Sequence, residues 1–179
     1  MAPVDTNNSV ESRLRAIEDR LEIYNLIASH PPSADTGADY YTSAVYTEDG
    51  TFDRGEDLDG AVGNAAIGAF TLTPAHQAAI HGGLAHFAGL PHIVLDGDTA
   101  YVTSYLQILH PDALGDEREL PNHGGSRGFR IHRVVANRWT LARSSDGWKI
   151  KSRKLRPLDG TAPAREILEQ ALEAYRPAR

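Results

Sequence analysis

Eight histidines, in an acidic chain of 179 residues without a single cysteine, are the side chains to account for first. Cysteine nucleophiles, thiolate metal sites and disulfides are excluded, so imidazole is the natural group to move a proton near neutral pH. His30, His76, His81 and His123 fall in predicted loops or on predicted helix surfaces, where solvated or capping roles are the common outcome. His86 differs. It opens a strand in Gly82-Gly83-Leu84-Ala85-His86-Phe87, among small residues that leave room around its ring. His110 closes the next strand, directly before Pro111. A hairpin turning at Asp96 to Thr99 would bring these two strand ends together, to within a residue or two of register.

An imidazole is a better base when a carboxylate fixes its tautomer and stabilises its cation. Asp35 is the candidate, placed after the His30-Pro31-Pro32-Ser33 break where a second helix opens. Its competing role is an ordinary helix cap. The Asp35–His86 distance separates the two. In residues 129–141, period-2 alternation sets Ile131, Arg133, Val135, Asn137, Trp139 and Leu141 on one face, and Arg130, His132, Arg138 and Thr140 on the other. The first face is the apolar, inner one. Asn137 in its middle needs a partner, which backbone, water or a substrate oxygen would each supply. Histidines without tight ligand spacing give no metal site, and acid–base chemistry of this kind requires no cofactor.

These residues need elements to hold them. Val10, Leu14, Ile17, Leu21, Tyr24 and Ile27 recur at helical spacing and predict a first helix from about residue 9 to 28, behind a loose polar leader. Asn8, with Glu11 three residues on, offers its cap. The Pro31-Pro32 pair ends it. A second helix follows over about 36–45 with Tyr40, Tyr41 and Val45 inward, then a short strand over 51–53. Two more short helices are expected over 64–70 and 74–80. Strands then take over, at 85–95, 101–110, 129–144 and 148–155, with Asp96-Gly97-Asp98 and Ser145-Asp146-Gly147 as hairpin turns. Residues 111–125 read as a polar rim loop and 164–174 as a terminal helix. Helices first and antiparallel hairpins afterwards indicate an α+β domain, its curved sheet lidded by the N-terminal helices around one pocket. The chain reads as one domain, with a core over about 9–156 and a helical extension over about 164–175.

Composition restricts the partners. With 41% hydrophobic and 23% charged residues and a net charge of -6, the chain is an ordinary globular one lacking the basic face that nucleic acid demands. No apolar run approaches a membrane span, and no secretory leader is evident, so a cytoplasmic protein is the expectation.

The residues also resemble a known family. Ile17-Glu18-Asp19-Arg20-Leu21-Glu22-Ile23-Tyr24, His86-Phe87-Ala88-Gly89, Asp96-Gly97-Asp98-Thr99-Ala100 and Asp146-Gly147-Trp148-Lys149-Ile150 look like the SnoaL-like branch of the nuclear transport factor 2-like superfamily, over about residues 10–155. The resemblance implies a cone-shaped half-barrel and a homo-oligomer, dimer or trimer, with Trp139 or Tyr105 as contacts. The site pattern is similar to that of scytalone dehydratase. On that pattern Asp35 orients the catalytic His86, His110 is the second histidine, and Asn137 holds the substrate. Two family tyrosines are replaced by Ala34 and Arg54, and a serine by Val135, leaving Tyr24, Tyr40 or Tyr41 to polarise a carbonyl. The implied function is β-elimination of water from a small, cyclic, largely apolar substrate. An isomerase or cyclase starting with the same proton abstraction, and a non-catalytic ligand carrier, are the alternatives.

Overall fold

The computed structural model describes residues 9–175, so the predicted leader and the Asn8 cap lie outside the described residues. Helix α1 (Val10–Ala28) is capped by Ser9, whose hydroxyl accepts from the Ser12 N–H. Helices α2 (His30–Thr36) and α3 (Asp39–Val45) follow, then strand β1 (Tyr46–Asp53) and the two-residue β2 (Ala61–Val62). Helices α4 (Asn64–Phe70) and α5 (Pro74–His81) lead into β3 (Ala85–Ala88), β4 (His92–Asp96) and the long β5 (Thr99–Pro111). A small hairpin, β6 (Arg118–Leu120) and β7 (Gly124–Ser126), occupies the expected rim loop. Strands β8 (Phe129–Ser144) and β9 (Gly147–Pro157) complete the sheet, and helix α6 (Ala162–Gln170) follows.

The main sheet runs β2-β1-β9-β8-β5-β3, with β4 also paired to β5. Only the β1–β9 pairing is parallel. The expected strand over 85–95 is two strands, because Gly89-Leu90-Pro91 interrupts it and Pro91 cannot donate to a ladder. Both pair with β5, one behind the other. The sheet curves without closing, and the N-terminal helices cover its concave side.

Two register shifts shape that concave side. Ile108 pairs with Arg133 while Leu109 pairs with Ile131, so His132 is an unmatched residue on β8. Thr140 pairs with Ser152 while Leu141 pairs with Ile150, so Lys151 is unmatched on β9. Each is a bulge that shifts the alternation by one. On β9, Trp148 and Ile150 point inward before the bulge, and Arg153 and Leu155 after it.

The core joins Ile23 and Ile27 of α1 to Val102, Trp139, Leu141 and Ile150 of the sheet. The face that α1 buries is Asp19, Ile23, Leu26 and Ile27, not the predicted stripe. Of that stripe only Ile27 is inside; Val10, Leu14, Ile17, Leu21 and Tyr24 are exposed. A polar residue on the buried face explains the error. Asp19 accepts two bonds from the Arg143 guanidinium at 2.7 Å each and one from the Trp148 indole at 3.1 Å. Arg143 holds the Asp19 carboxyl below the usual carboxylate range.

Candidate functional site

The site begins at the seam between α1 and α2. Pro31 and Pro32 occupy the first turn of α2, where a missing N–H costs nothing, so the pair starts a helix directly after α1 ends. Seven residues later the chain must leave α2 sharply. Gly37 does this at φ +67°, and a Cβ there would lie 2.5 Å from the Gln77 amide, so only glycine fits. Asp35 therefore sits in the last turn of α2 and is no N-terminal cap.

From there its carboxylate reaches β3. Asp35 Oδ1 lies 2.5 Å from His86 Nδ1, and Oδ2 accepts the His86 backbone N–H at 2.9 Å. An ionised carboxylate only accepts, so Nδ1 carries the ring proton and the neutral imidazole keeps its lone pair on Nε2. His76, from α5, steadies the same turn: its Nε2 donates to the Ala34 carbonyl at 2.8 Å. The two residues 51 positions apart are thus held by short local structure on each side.

Behind His86 lies a second polar group. Arg153, only 3% exposed, donates from Nε and Nη2 to Asn137 Oδ1 at 3.0 and 2.9 Å. Its Nη1 lies 3.3 Å from His30 Nδ1, and the Tyr46 phenol also bonds to it. Its guanidinium stacks between Trp139 at 4.2 Å and Phe52 at 4.9 Å from the ring centres. Burial pushes Arg153 down to about 10 and holds His30 well below the usual imidazole range. His30 is a neutral ring, edge-on to both His86 and Trp139 with centroids 5.6 Å apart.

These groups surround a cavity of about 430 Å³, the size of ordinary small-molecule sites. Of the sequence candidates, His86, Tyr41, Arg54 and Val135 line it, and Asp35 stands directly behind His86. Asn137 is buried but turned to Arg153, so its oxygen is not left for a substrate. Tyr24 and Tyr40 are on the outside, Tyr40 at 77% exposure. Trp139, suggested as an oligomer contact, is instead buried in the cavity wall.

His110 also lies elsewhere. His86 pairs with Ile108, and two residues further β5 has run past the cavity rim. There His110 is exposed, bonded through Nδ1 to the Pro111 carbonyl at 3.0 Å. The two strands do lie side by side with His110 two residues from the partner of His86, as the turn predicted, but His110 does not line the cavity.

Several lining residues were not singled out in the sequence. His30 and His76 line the cavity rather than a solvated surface, whereas His81 and His123 bond to nearby backbone carbonyls as expected. His132, assigned to the outer face, is exposed at the bulge and reaches the cavity mouth beside Arg133. For Arg153 a signal existed: Ile150 and Leu155 are five apart and cannot share one face of a regular strand. Among the described residues no group of three or more His, Asp or Glu side chains is arranged to hold a metal ion.

The fold has known counterparts. The family model of the SnoaL-like domain matches residues 15–154. The chain belongs to the SnoaL-like family. An NTF2-like protein with a cystatin-like fold from Novosphingobium aromaticivorans is 34% identical to this SnoaL-like chain, with a TM-score of 0.79, covering 93% of this chain and 99% of its own. ActVI-ORFA from Streptomyces coelicolor is 18% identical, with a TM-score of 0.57 over 79% of this chain and 98% of its own. A protein provisionally named scytalone dehydratase, also from Novosphingobium aromaticivorans, is 18% identical, with a TM-score of 0.57 over 83% and 88%. The last two share the fold. Among curated proteins none matches the chain. Among the described residues no helix is long and apolar enough to cross a membrane.

Proposed function

We propose that this SnoaL-like protein is a cofactor-independent lyase that removes water by β-elimination from a small substrate with an apolar ring skeleton. The observation that carries the reading is the double bond-pair from Asp35 to His86 on the wall of an enclosed cavity. His86 Nε2 takes a proton from the carbon beside a substrate carbonyl. The electron pair left on that carbon forms the new double bond as the β-carbon–oxygen bond breaks. The imidazolium, stabilised by Asp35, then returns its proton to the departing oxygen, and water leaves. One ring serves as base and then acid, so no second histidine is needed. Such general acid–base steps contribute about 10²- to 10⁴-fold each.

A panel of cyclic β-hydroxy ketones, assayed with wild type, His86→Ala and Asp35→Asn, tests the reading. Elimination by wild type that both variants lose supports it. Release of an isomer or a cyclised product assigns the same proton abstraction to an isomerase or cyclase instead. Binding without conversion makes the protein a carrier, a reading favoured by the enclosed apolar wall alone. We also propose a homo-oligomer, for which Tyr105 on the outer sheet face and the apolar stripe of α1 are exposed.

A further inference from the structure

The cavity wall is one-sided in charge. Arg54, Arg133 and Arg153 line it, together with His30, His76, His86 and His132, and no Asp or Glu does. This occurs in a chain with a net charge of -6. Among the described residues none of these three arginines forms an ion pair; the carboxylates that do pair are committed elsewhere. Arg54 and Arg133 repel one another near the mouth. Arg54 lies over the Phe70 and Phe52 rings, bonds to the Asp59 backbone oxygen and feels the Asp59 carboxylate, and Arg133 feels that of Asp159, neither as an ion pair.

The deep end is short of acceptors as well. Arg153 donates twice to Asn137 Oδ1 and once toward His30 Nδ1, with the Tyr46 phenol as its one further polar neighbour among the described residues. Because a guanidinium cannot accept, His30 Nδ1 is the acceptor and its Nε2 carries hydrogen. Among the described residues that Nε2 is sealed from solvent and has no partner, as is Nδ2 of Asn137, which stands behind Arg153 and does not itself line the cavity. Unmet buried donors beside an unpaired buried cation are costly unless an anion completes them.

We infer that the ligand of this cavity carries an anionic oxygen group, a carboxylate or a phenolate, seated against Arg153 and His30, with Arg54 and Arg133 drawing it through the mouth. The proposal names the ligand class of the site described above. It rests on the functional reading only in taking this cavity as the ligand site. With its anion near His30, whose ring is 5.6 Å from that of His86, a bound acid presents its neighbouring carbons to the base.

Equilibrium binding of paired ring compounds tests this without turnover. 2-Naphthoate is compared with 2-naphthamide and methyl 2-naphthoate at pH 7.5, using quenching of the tryptophan fluorescence. 2-Naphthol is followed by the absorbance of its phenolate. Charge-assisted hydrogen bonds predict that the carboxylate binds at least about tenfold tighter than its neutral partners. Uptake of 2-naphthol as its anion, without that carboxylate preference, assigns the phenolate. Equal or better binding of the neutral compounds, with no ionisation of naphthol, overturns the proposal. Arg153→Met should abolish the preference. Should that variant not fold, the wild-type comparison stands alone, and Arg54→Gln with Arg133→Gln should weaken the anion selectively. His86→Ala should lose turnover yet keep the anion preference, which separates failure of this proposal from failure of the lyase reading.

Discussion

Asp35 holds His86 at two points, the ring Nδ1 through one carboxylate oxygen and the main-chain N–H through the other. Ring orientation and the start of β3 are therefore set by the same side chain. Asparagine at 35 could accept only one of these bonds and would turn its NH₂ toward a second donor. Asp35→Asn is expected to cut turnover by about 10²- to 10⁴-fold. Each kcal/mol of lost stability should lower Tm by about 2–4 °C. Steady-state rates and a thermal melt on the same preparation check both effects; full activity in a variant with a lowered Tm would leave Asp35 a purely structural clamp.

His110 makes the opposite case. Exposed beyond the rim and bonded to the backbone next to it, it is outside the reacting volume. His110→Ala should turn over substrate like wild type, in the same assay in which His86→Ala is inactive. A large loss in His110→Ala would mean that β5 rearranges when substrate binds.

His30 sets an acid limit on stability. Its folded pKa is depressed by burial first and by Arg153 next. Below the unfolded value of about 6.5 the unfolded chain takes up a proton that the native state refuses, so stability falls as pH drops. The loss runs from about pH 6.5 down to the lowered native pKa, at no more than about 1.4 kcal/mol per pH unit for one proton. Urea denaturation at pH 7 and pH 5 should show this decline in wild type and a shallower one in His30→Phe. Asp19, whose pKa is lowered, stabilises the fold above its ordinary value of about 3.8 and loses that contribution chiefly below it, so it does not imitate a decline between pH 7 and pH 5.

The Asp19–Arg143–Trp148 group is a test of structure alone. Asp19→Ala leaves the Arg143 guanidinium with only the exposed Asp98 and removes the acceptor of the Trp148 indole. A loss of about 3 kcal/mol is expected from breaking such a largely buried pair. Chemical denaturation reads it directly, and ligand binding by the folded fraction should be unaltered.

Oligomeric state gives a separate prediction. The exposed residues Val10, Leu14, Ile17, Leu21 and Tyr24 on α1 step alternately by four and three, the spacing of a coiled-coil seam. Arg13 and Arg20 flank it on one side and Glu11 and Glu18 on the other. In a parallel pair Arg13 would meet Glu18 of a second copy. Light scattering should show the assembly of wild type reduced to monomer in Leu14→Lys/Leu21→Lys. An unchanged mass would move the contact to the sheet face around Tyr105.

Much of this architecture was legible. The hairpin turns at Gly97 and Gly147 and the boundaries of β8 and α4 follow from local signals, whereas the pairing of Asp35 with His86, 51 positions apart, comes from the family resemblance. What failed did so for identifiable reasons. Asp19 hid the buried face of α1, because a carboxylate that finds an arginine and an indole is invisible to a hydrophobic pattern. Tyr40 was assigned inward by spacing, but α2 and α3 are separate helices and the phase restarts at Asp39. Asn137 was correctly read as a buried polar group in need of a partner. That partner, Arg153, is missed by simple alternation, which the bulge interrupts; only the odd spacing of Ile150 and Leu155 points to it.

The bulges have a consequence for how such a cavity changes over time. Which of two neighbouring side chains enters the cone is decided by one unpaired residue some distance along the strand. Pairing β9 without the bulge at unchanged length would exchange the inward and outward residues of its downstream half, putting Ser152 and Lys154 where Arg153 and Leu155 now stand, whereas deleting Lys151 itself would keep Arg153 and Leu155 inward. A single-codon deletion at the bulge thus leaves the cavity's side chains in place, while one beyond it, as of Lys154, would turn Leu155 outward. Relatives should accordingly be aligned by strand phase before their cavities are compared residue for residue.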